Sequence, residues 1–565
     1  MTGARPGHRS EGLAFGVQPD YVDAWGVRRQ ANPDSIRLLR AALGESADHP
    51  VAPAGRRGSR TCYLPAGRQA WGWAAQLYAA RSTRSWGIGD LDDLRRLAKW
   101  SRKVGAGYVQ LNPLHACAPV GRQEPSPYFP SSRRFRNPLY IAVEAVPGYR
   151  AVAARVAPLL ARGRALNSAR LIDRGAVHAL KLEALEAIWS ANPPRPGMAA
   201  WTAAAGPALA TYGTYCALAE RHGADWRAWP AQLRRPDSAA GSREAAELQP
   251  RADFHVWLQW LLDRQLERAA RELGPINDLA IGADPGGADG WIWADHLLTG
   301  FTVGAPPDEL NTTGQNWGFP AFDPGALLAS GFGPFRETVR ANMAHAAGLR
   351  IDHVMGLFRL WMIPEGADAT DGAYVTYPSG PMLDVLAEES RSAAALVVGE
   401  DLGTVQPEVR DELRRRRILS YRLLWFEDRA PRTYPALALA AVTTHDLPTV
   451  TGVWTGADER AMKAAGLQPN HAANQAIVER MARLSGVPMG APAEEAVLAA
   501  YRALGQSRSR LLAATLEDAL VVAERPNIPG TVDEWPNWSL ALPGGLEGLQ
   551  RSRTARRLAA VLAER

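Results

Sequence analysis

The rhythm of apolar and polar positions changes several times along the chain, and each change predicts an element. Residues 85–114, "SWGIGDLDDLRRLAKWSRKVGAGYVQLNPL", read as a turn, an amphipathic helix and a strand. Asp90, Asp92 and Asp93 sit at the helix start, where the macrodipole favours negative charge. Gly105 and Gly107 end that helix, and Pro113 breaks the strand "YVQLNPL". From 150 to 270 the text is mostly helical, in "AVAARVAPLLARG", "VHALKLEALEAIW" and "ADFHVWLQWLLDRQLERAARELG". This stretch carries few candidate catalytic groups and reads as an insertion. Strand-like runs then return as "INDLAIGA", "AGLRIDHVMG", "ALVVGEDLG" and "LALAAVTTHD", with helical text such as "PEVRDELRRRRI" between some of them. Strands alternating with helices predict an α/β fold with a parallel sheet. Residues 1–70 are rich in Gly, Pro, Arg and Ala, with one helical pattern at "SIRLLRAAL", and read as an N-terminal extension to a main domain over 71–565.

A parallel sheet closed into a barrel carries its working residues at the C-terminal ends of its strands. Three of the apolar runs end in acids. "LRIDH" delivers Arg350 and Asp352, two residues apart and so on one face; "LVVGE" delivers Glu400, on the face of Val398; "AAVTTHD" delivers His445 and Asp446. Any one such acid is most simply a structural ion pair. Three at strand ends, two of them beside Arg or His, point to chemistry. Converging carboxylates can hold a hard cation or perform glycosyl transfer, one attacking while another protonates the leaving oxygen. Arg350 beside Asp352 suits an ionised nucleophile, whereas Glu400, behind Gly399 and an apolar run, is expected to be pushed towards its protonated form, as a general acid requires. Asp401 points away from Glu400 and is expected to support the site or cap a helix.

Composition narrows the field. With 46% hydrophobic and 22% charged residues the chain can bury a large core. Its 64 basic residues are balanced by 58 acidic ones, and the densest basic run, Arg414–Arg417, reads as a solvated helix face rather than a nucleic-acid contact. Three scattered cysteines, Cys62, Cys117 and Cys216, make neither a disulfide framework nor a metal spacing. The N-terminus lacks the apolar core of a signal peptide and no stretch is apolar enough to span a bilayer, so a cytoplasmic protein with no membrane partner is expected. The 19 tryptophans serve equally well as core and as flat platforms for sugar rings.

The motifs "SWGIGDLDDL" (85–94), "SPYFPSSRRFRNPLYI" (126–141), "GAPPDELNTTGQNWGFPAF" (304–322), "GLRIDHVMGLFRLWMIP" (348–364), "VVGEDLGTV" (397–405), "TTHDLPTVTGVW" (443–454) and "RPNIPGTVDEWPNW" (525–538) together resemble the 4-α-glucanotransferases, or amylomaltases, of glycoside hydrolase family 77. The resemblance implies a (β/α)8 TIM barrel with helical insertions and a retaining double displacement. It implies Asp352 as nucleophile, Glu400 as general acid/base and Asp446 as transition-state stabiliser, with Arg350 and His445 flanking the reacting sugar. It places Asp308, Gln315 and Trp317 in a loop over the glucan, and Tyr128 and Asn527 along the donor and acceptor cleft. "NDLAIGADPGGADGWIW" (277–293) matches less closely, and Asp278 receives no role. Maltooligosaccharides, α-1,4-glucans and glucose as acceptor are the implied partners; no cofactor and no metal are expected. The competing readings are an α-1,4-glucan hydrolase using the same acids, a metal-dependent enzyme, and an inactive glucan-binding protein.

Overall fold

A computed structural model describes residues 15–44, 60–67, 69–308, 313–403 and 405–564. The Gly- and Arg-rich parts of the expected extension at 1–14 and 45–59 lie outside the described residues, as do four residues of the expected glucan loop, 309–312. The helical pattern at "SIRLLRAAL" forms a helix over Pro33–Leu43, capped by the Asn32 side chain.

Eight parallel strands form the centre: β1 (Ala70–Ala75), β2 (Tyr108–Leu111), β3 (Pro275–Leu279), β4 (Gly348–Ile351), β5 (Leu396–Gly399), β6 (Ser420–Leu423), β7 (Ala438–Ala441) and β8 (Leu511–Thr515). Each pairs with its neighbours in chain order, and β8 pairs with β1. The remaining edge, between β5 and β6, is joined by a bridge at Val398 and Leu419, where Gly399 N–H donates to Leu419 O at 2.8 Å and Leu419 N–H to Val397 O at 2.9 Å. The sheet is a (β/α)8 barrel. Alternate residues explain its apolar text: Ile276, Val398, Tyr421, Leu439 and Ala513 fill the interior, while Val397 and Leu512 face outward into the cores under the helices.

Helix α1 (Leu91–Lys103) follows the predicted acids, and Asp90 and Asp93 form a reciprocal capping box at its start. Between β2 and β3 run the helices α2 (Tyr149–Ala165), α3 (Arg174–Ser190), α4 (Pro207–His222) and α5 (Gln249–Ala270). Part of this segment packs a separate core around Tyr215 and Trp229, which Trp291 from beyond β3 completes.

A five-stranded antiparallel sheet stands beside the barrel, with Phe301–Ala305 between Arg359–Pro364 and the short strand Gln315–Asn316. Gly304 is forced there: a Cβ would lie 2.0 Å from the Gln315 carbonyl oxygen. The segment read as an irregular loop is therefore anchored on both sides by a paired stem.

Candidate active site

Strand register builds the floor of the site. Asp278 of β3, Arg350 of β4 and Val398 of β5 are direct partners across the sheet, so an acid and a base meet inside the barrel one pleat below its rim. Arg350 is 4% exposed and donates from Nη1 to both oxygens of Asp278, at 2.8 and 2.9 Å, and to Oδ1 of Asp352, at 2.9 Å. Burial works against the guanidinium charge, but the two carboxylates override it and push its pKa further up. Tyr128 Oη also donates to Oδ2 of Asp278, at 2.8 Å.

Two residues further along each strand lies the rim. Asp352 follows β4, with its N–H on Leu279 O at 3.1 Å, and Glu400 follows β5, with its N–H on Ile351 O at 3.0 Å. The two acids thus hang from adjacent strands. Both Glu400 oxygens accept backbone N–H groups: Oε2 from His353 at 2.9 Å and Oε1 from Leu402 at 2.7 Å. His353 reaches that position with φ of 45°, a left-handed conformation rare for a non-glycine residue and a mark of local strain. Burial pushes the Glu400 carboxyl up to about 7; the Asp352 charge adds to this, and Arg350 and the two N–H donors oppose it only in part.

Asp446 is tuned the other way. Burial would raise it, but His445, whose Nε2 lies 3.1 Å from Oδ2, and the Asn527 amide, which donates to Oδ1 at 2.7 Å, hold its carboxyl at about 2. Burial lowers the pKa of the His445 ring, and the charge and hydrogen bond of Asp446 more than offset this, leaving it raised. Tyr128 stacks on His445 at 5.1 Å, and Trp538 closes against both.

These groups line one cleft of about 580 Å³. Asp352, His353, Glu400, His445 and Asp446 make its base, Tyr128, Asn527 and Trp538 one wall, and Gln315, Trp317 and Phe319 another. Trp317 is held by its N–H on Val303 O at 2.9 Å and by an indole N–H on Gln315 Oε1 at 3.1 Å, and its ring meets His353 edge-on at 5.3 Å. Of the ten residues singled out from sequence, eight line this cleft. Arg350 lies beneath it, and Asp308, half-buried at the start of the stem's far end, is not among the described residues that line it. Among the described residues no group of three or more His, Cys, Asp or Glu side chains is arranged to hold a metal ion.

The family model described as 4-alpha-glucanotransferase matches residues 75–546. The chain belongs to the 4-alpha-glucanotransferase family. A 4-alpha-glucanotransferase from Mycobacterium tuberculosis is 44% identical over 551 residues, covering 88% of this chain and 75% of the relative. One from Haemophilus influenzae is 34% identical over 524 residues, covering 83% and 75%. The crystal structure of amylomaltase from Corynebacterium glutamicum superposes with a TM-score of 0.83 at 27% identity, covering 97% of this chain and 98% of that one. Amylomaltase from Streptococcus agalactiae, solved with acarbose, shares the fold at a TM-score of 0.70 and 16% identity, over 88% and 100% of the chains.

Two groups in this family member went unread in the sequence. Asp278 is the buried partner of both Arg350 and Tyr128. His353 carries the N–H that orients Glu400. Of the two roles expected of Asp401, supporting the site or capping a helix, the second needs a correction. The following helix, Pro407–Arg415, begins at Gln406 without a side-chain cap, so Asp401 caps nothing. Its buried carboxylate instead accepts Tyr421 N–H at 2.7 Å and faces Arg410 and Arg422 at 3.3 and 3.4 Å, tying the end of β5 to β6.

Proposed function

We propose that this enzyme moves α-1,4-glucan segments from a donor maltooligosaccharide or glucan to an acceptor sugar, glucose included, through a covalent glycosyl-enzyme on Asp352. The observation that carries the proposal is the single cleft in which Asp352 bonds a buried arginine, Glu400 is held near neutrality and Asp446 is held ionised. In the first step an Asp352 oxygen attacks the anomeric carbon, the glycosidic C–O bond breaks, and Glu400 gives its proton to the departing oxygen. In the second step Glu400, now a carboxylate, takes the proton of an acceptor hydroxyl, whose oxygen displaces Asp352. Asp446, with His445 and Asn527 behind it, stabilises the positive charge that develops on the sugar ring in the transition state of each step. Arg350 orients Asp352, and Tyr128, Gln315 and Trp317 bind the glucan, with Asp308 on the same segment. None of these steps calls on a cofactor. Three free thiols suit a reducing cytoplasm, and no described helix is long and apolar enough to cross a membrane.

The test is incubation with maltotriose alone, following product lengths and total reducing ends together. Glucose plus a ladder of longer glucans at constant reducing ends is the expected result. Rising reducing ends with only shorter products would make the enzyme a hydrolase, and an unchanged substrate would leave a binding protein.

A further inference from the structure

Below the floor of the cleft, inside the barrel, lies a second cavity of about 30 Å³. Its wall is in large part polar, whereas a barrel interior is usually apolar. Gln76 beyond β1, Gln110 of β2, Thr443 beyond β7, Thr515 of β8 and Glu517 beyond it all face it, each almost wholly buried. The Gln76 and Gln110 amide oxygens are buried without a protein hydrogen-bond partner. A water needs about 10–15 Å³ and two to four polar partners, so this chamber has room for one or two, with unpaired acceptors ready to receive their hydrogens. His445 lines both the chamber and the cleft.

Glu517 takes no part in the chemistry outlined above. It is 7% exposed, in the first turn of the short helix that starts after Thr515. We propose that Glu517 is a positioning residue for glucan transfer: through water in the chamber it supports the His445 ring from the side opposite the sugar and sustains that ring's positive charge. This rests on the reading of His445 as a group that faces the reacting sugar. The surrounding charges show why such support matters. Arg350 of β4 opposes a charge on His445, while Asp446 from its own loop and Asp278 of β3 favour it; Tyr128 covers one face of the ring. Asp446 is engaged on the substrate side, by Asn527 and the cleft. Glu517 is screened from substrate and can act through every step. Burial and its neighbour Asp518 push the Glu517 carboxyl up, to about 7, and His445 opposes this, so it ionises near neutral pH. Tyr78, also nearby, is pushed well above its usual range by burial and stays neutral.

The experiment is a titration of the His445 ring by NMR in protein carrying isotope-labelled histidine, assigned with His445→Gln, in the native chain and in Glu517→Gln. That variant keeps shape and hydrogen-bonding capacity and removes the charge. The His445 midpoint should fall by about half a pH unit or more, and kcat on maltotriose above neutral pH by about threefold, with KM little changed. An unchanged midpoint overturns the proposal. If Glu517→Gln does not fold, Gln76→Met, just beyond the neighbouring strand β1, is read in the same way: a smaller downward shift supports the water link, and none overturns it. A native enzyme that transfers no glucan would refute the functional reading, while the ring titration would still decide whether Glu517 governs His445.

Discussion

Glu400 and Asp446 stand in one cleft, yet their surroundings drive their carboxyls apart. Glu400 is met by burial and the charge of Asp352; Asp446 is met by His445 and an amide donor. That division assigns their roles, because a proton donor must keep its proton near neutral pH and a charge stabiliser must lose it. It also fixes the pH dependence. The first step consumes protonated Glu400, so kcat/KM on maltotriose should decline as pH rises through about 7. Glu400→Gln should lower kcat/KM by about 10²–10⁴-fold, and the residual activity should lose that alkaline limb. Initial rates across the pH range check both, and a limb that survives in the variant would assign it to another group. The rim acids were legible in sequence because each ends an apolar run. Asp278 was not: it sits one pleat lower, and its link to Arg350 depends on the register of β3 against β4, which no local pattern encodes.

Among the elements, the segment that carries Trp317 differs most from its reading. The resemblance places it in a loop over the glucan. Pairing of Gln315 with Ala305 and Asn316 with Gly304 instead makes it the return arm of a hairpin, so Trp317 is aimed at the cleft by a sheet. A rigid aromatic wall can exclude water and hold an acceptor hydroxyl by Glu400, which is what separates transfer from hydrolysis. Trp317→Ala should therefore raise the ratio of hydrolysis to transfer several-fold, read as reducing ends released per glucan transferred; an unchanged ratio would assign Trp317 to packing alone. Barrel strands differed in legibility for a related reason. β2, β3, β4, β5 and β7 stand out as apolar runs between turn signals. β6, "SYRL", is short and half polar, and β8, "LLAAT", has the alanine-rich text of the helix before it, so period and composition do not distinguish them. They become strands because the barrel supplies partners on both sides.

At the scale of the molecule, the helices between β2 and β3 must be joined firmly to the barrel if the cleft wall that follows β2 is to stay in place. One side chain makes much of that joint. Lys181 of α3 is 2% exposed; its ammonium donates to Leu139 O at 2.6 Å and Ile141 O at 2.9 Å and lies 3.9 Å from Asp90, the cap of α1. Burial lowers its pKa, and Asp90 and Asp93 oppose that fall. The sequence shows a helix here but not this joint, since its partners lie some forty to ninety residues away. Replacing Lys181 with methionine keeps the length of the side chain, but it strands two carbonyl oxygens and leaves the buried Asp90 carboxyl without its cation. Removing one partner of a buried pair typically costs about 3–5 kcal/mol. Lys181→Met should accordingly lower the urea midpoint in a single transition that helices and barrel share. Activity per folded molecule should be nearly unchanged, since no reacting group is touched. Two separated transitions would mean that the helices unfold on their own and that Lys181 serves only their attachment; an unmoved midpoint would mean that the ammonium contributes nothing to the joint.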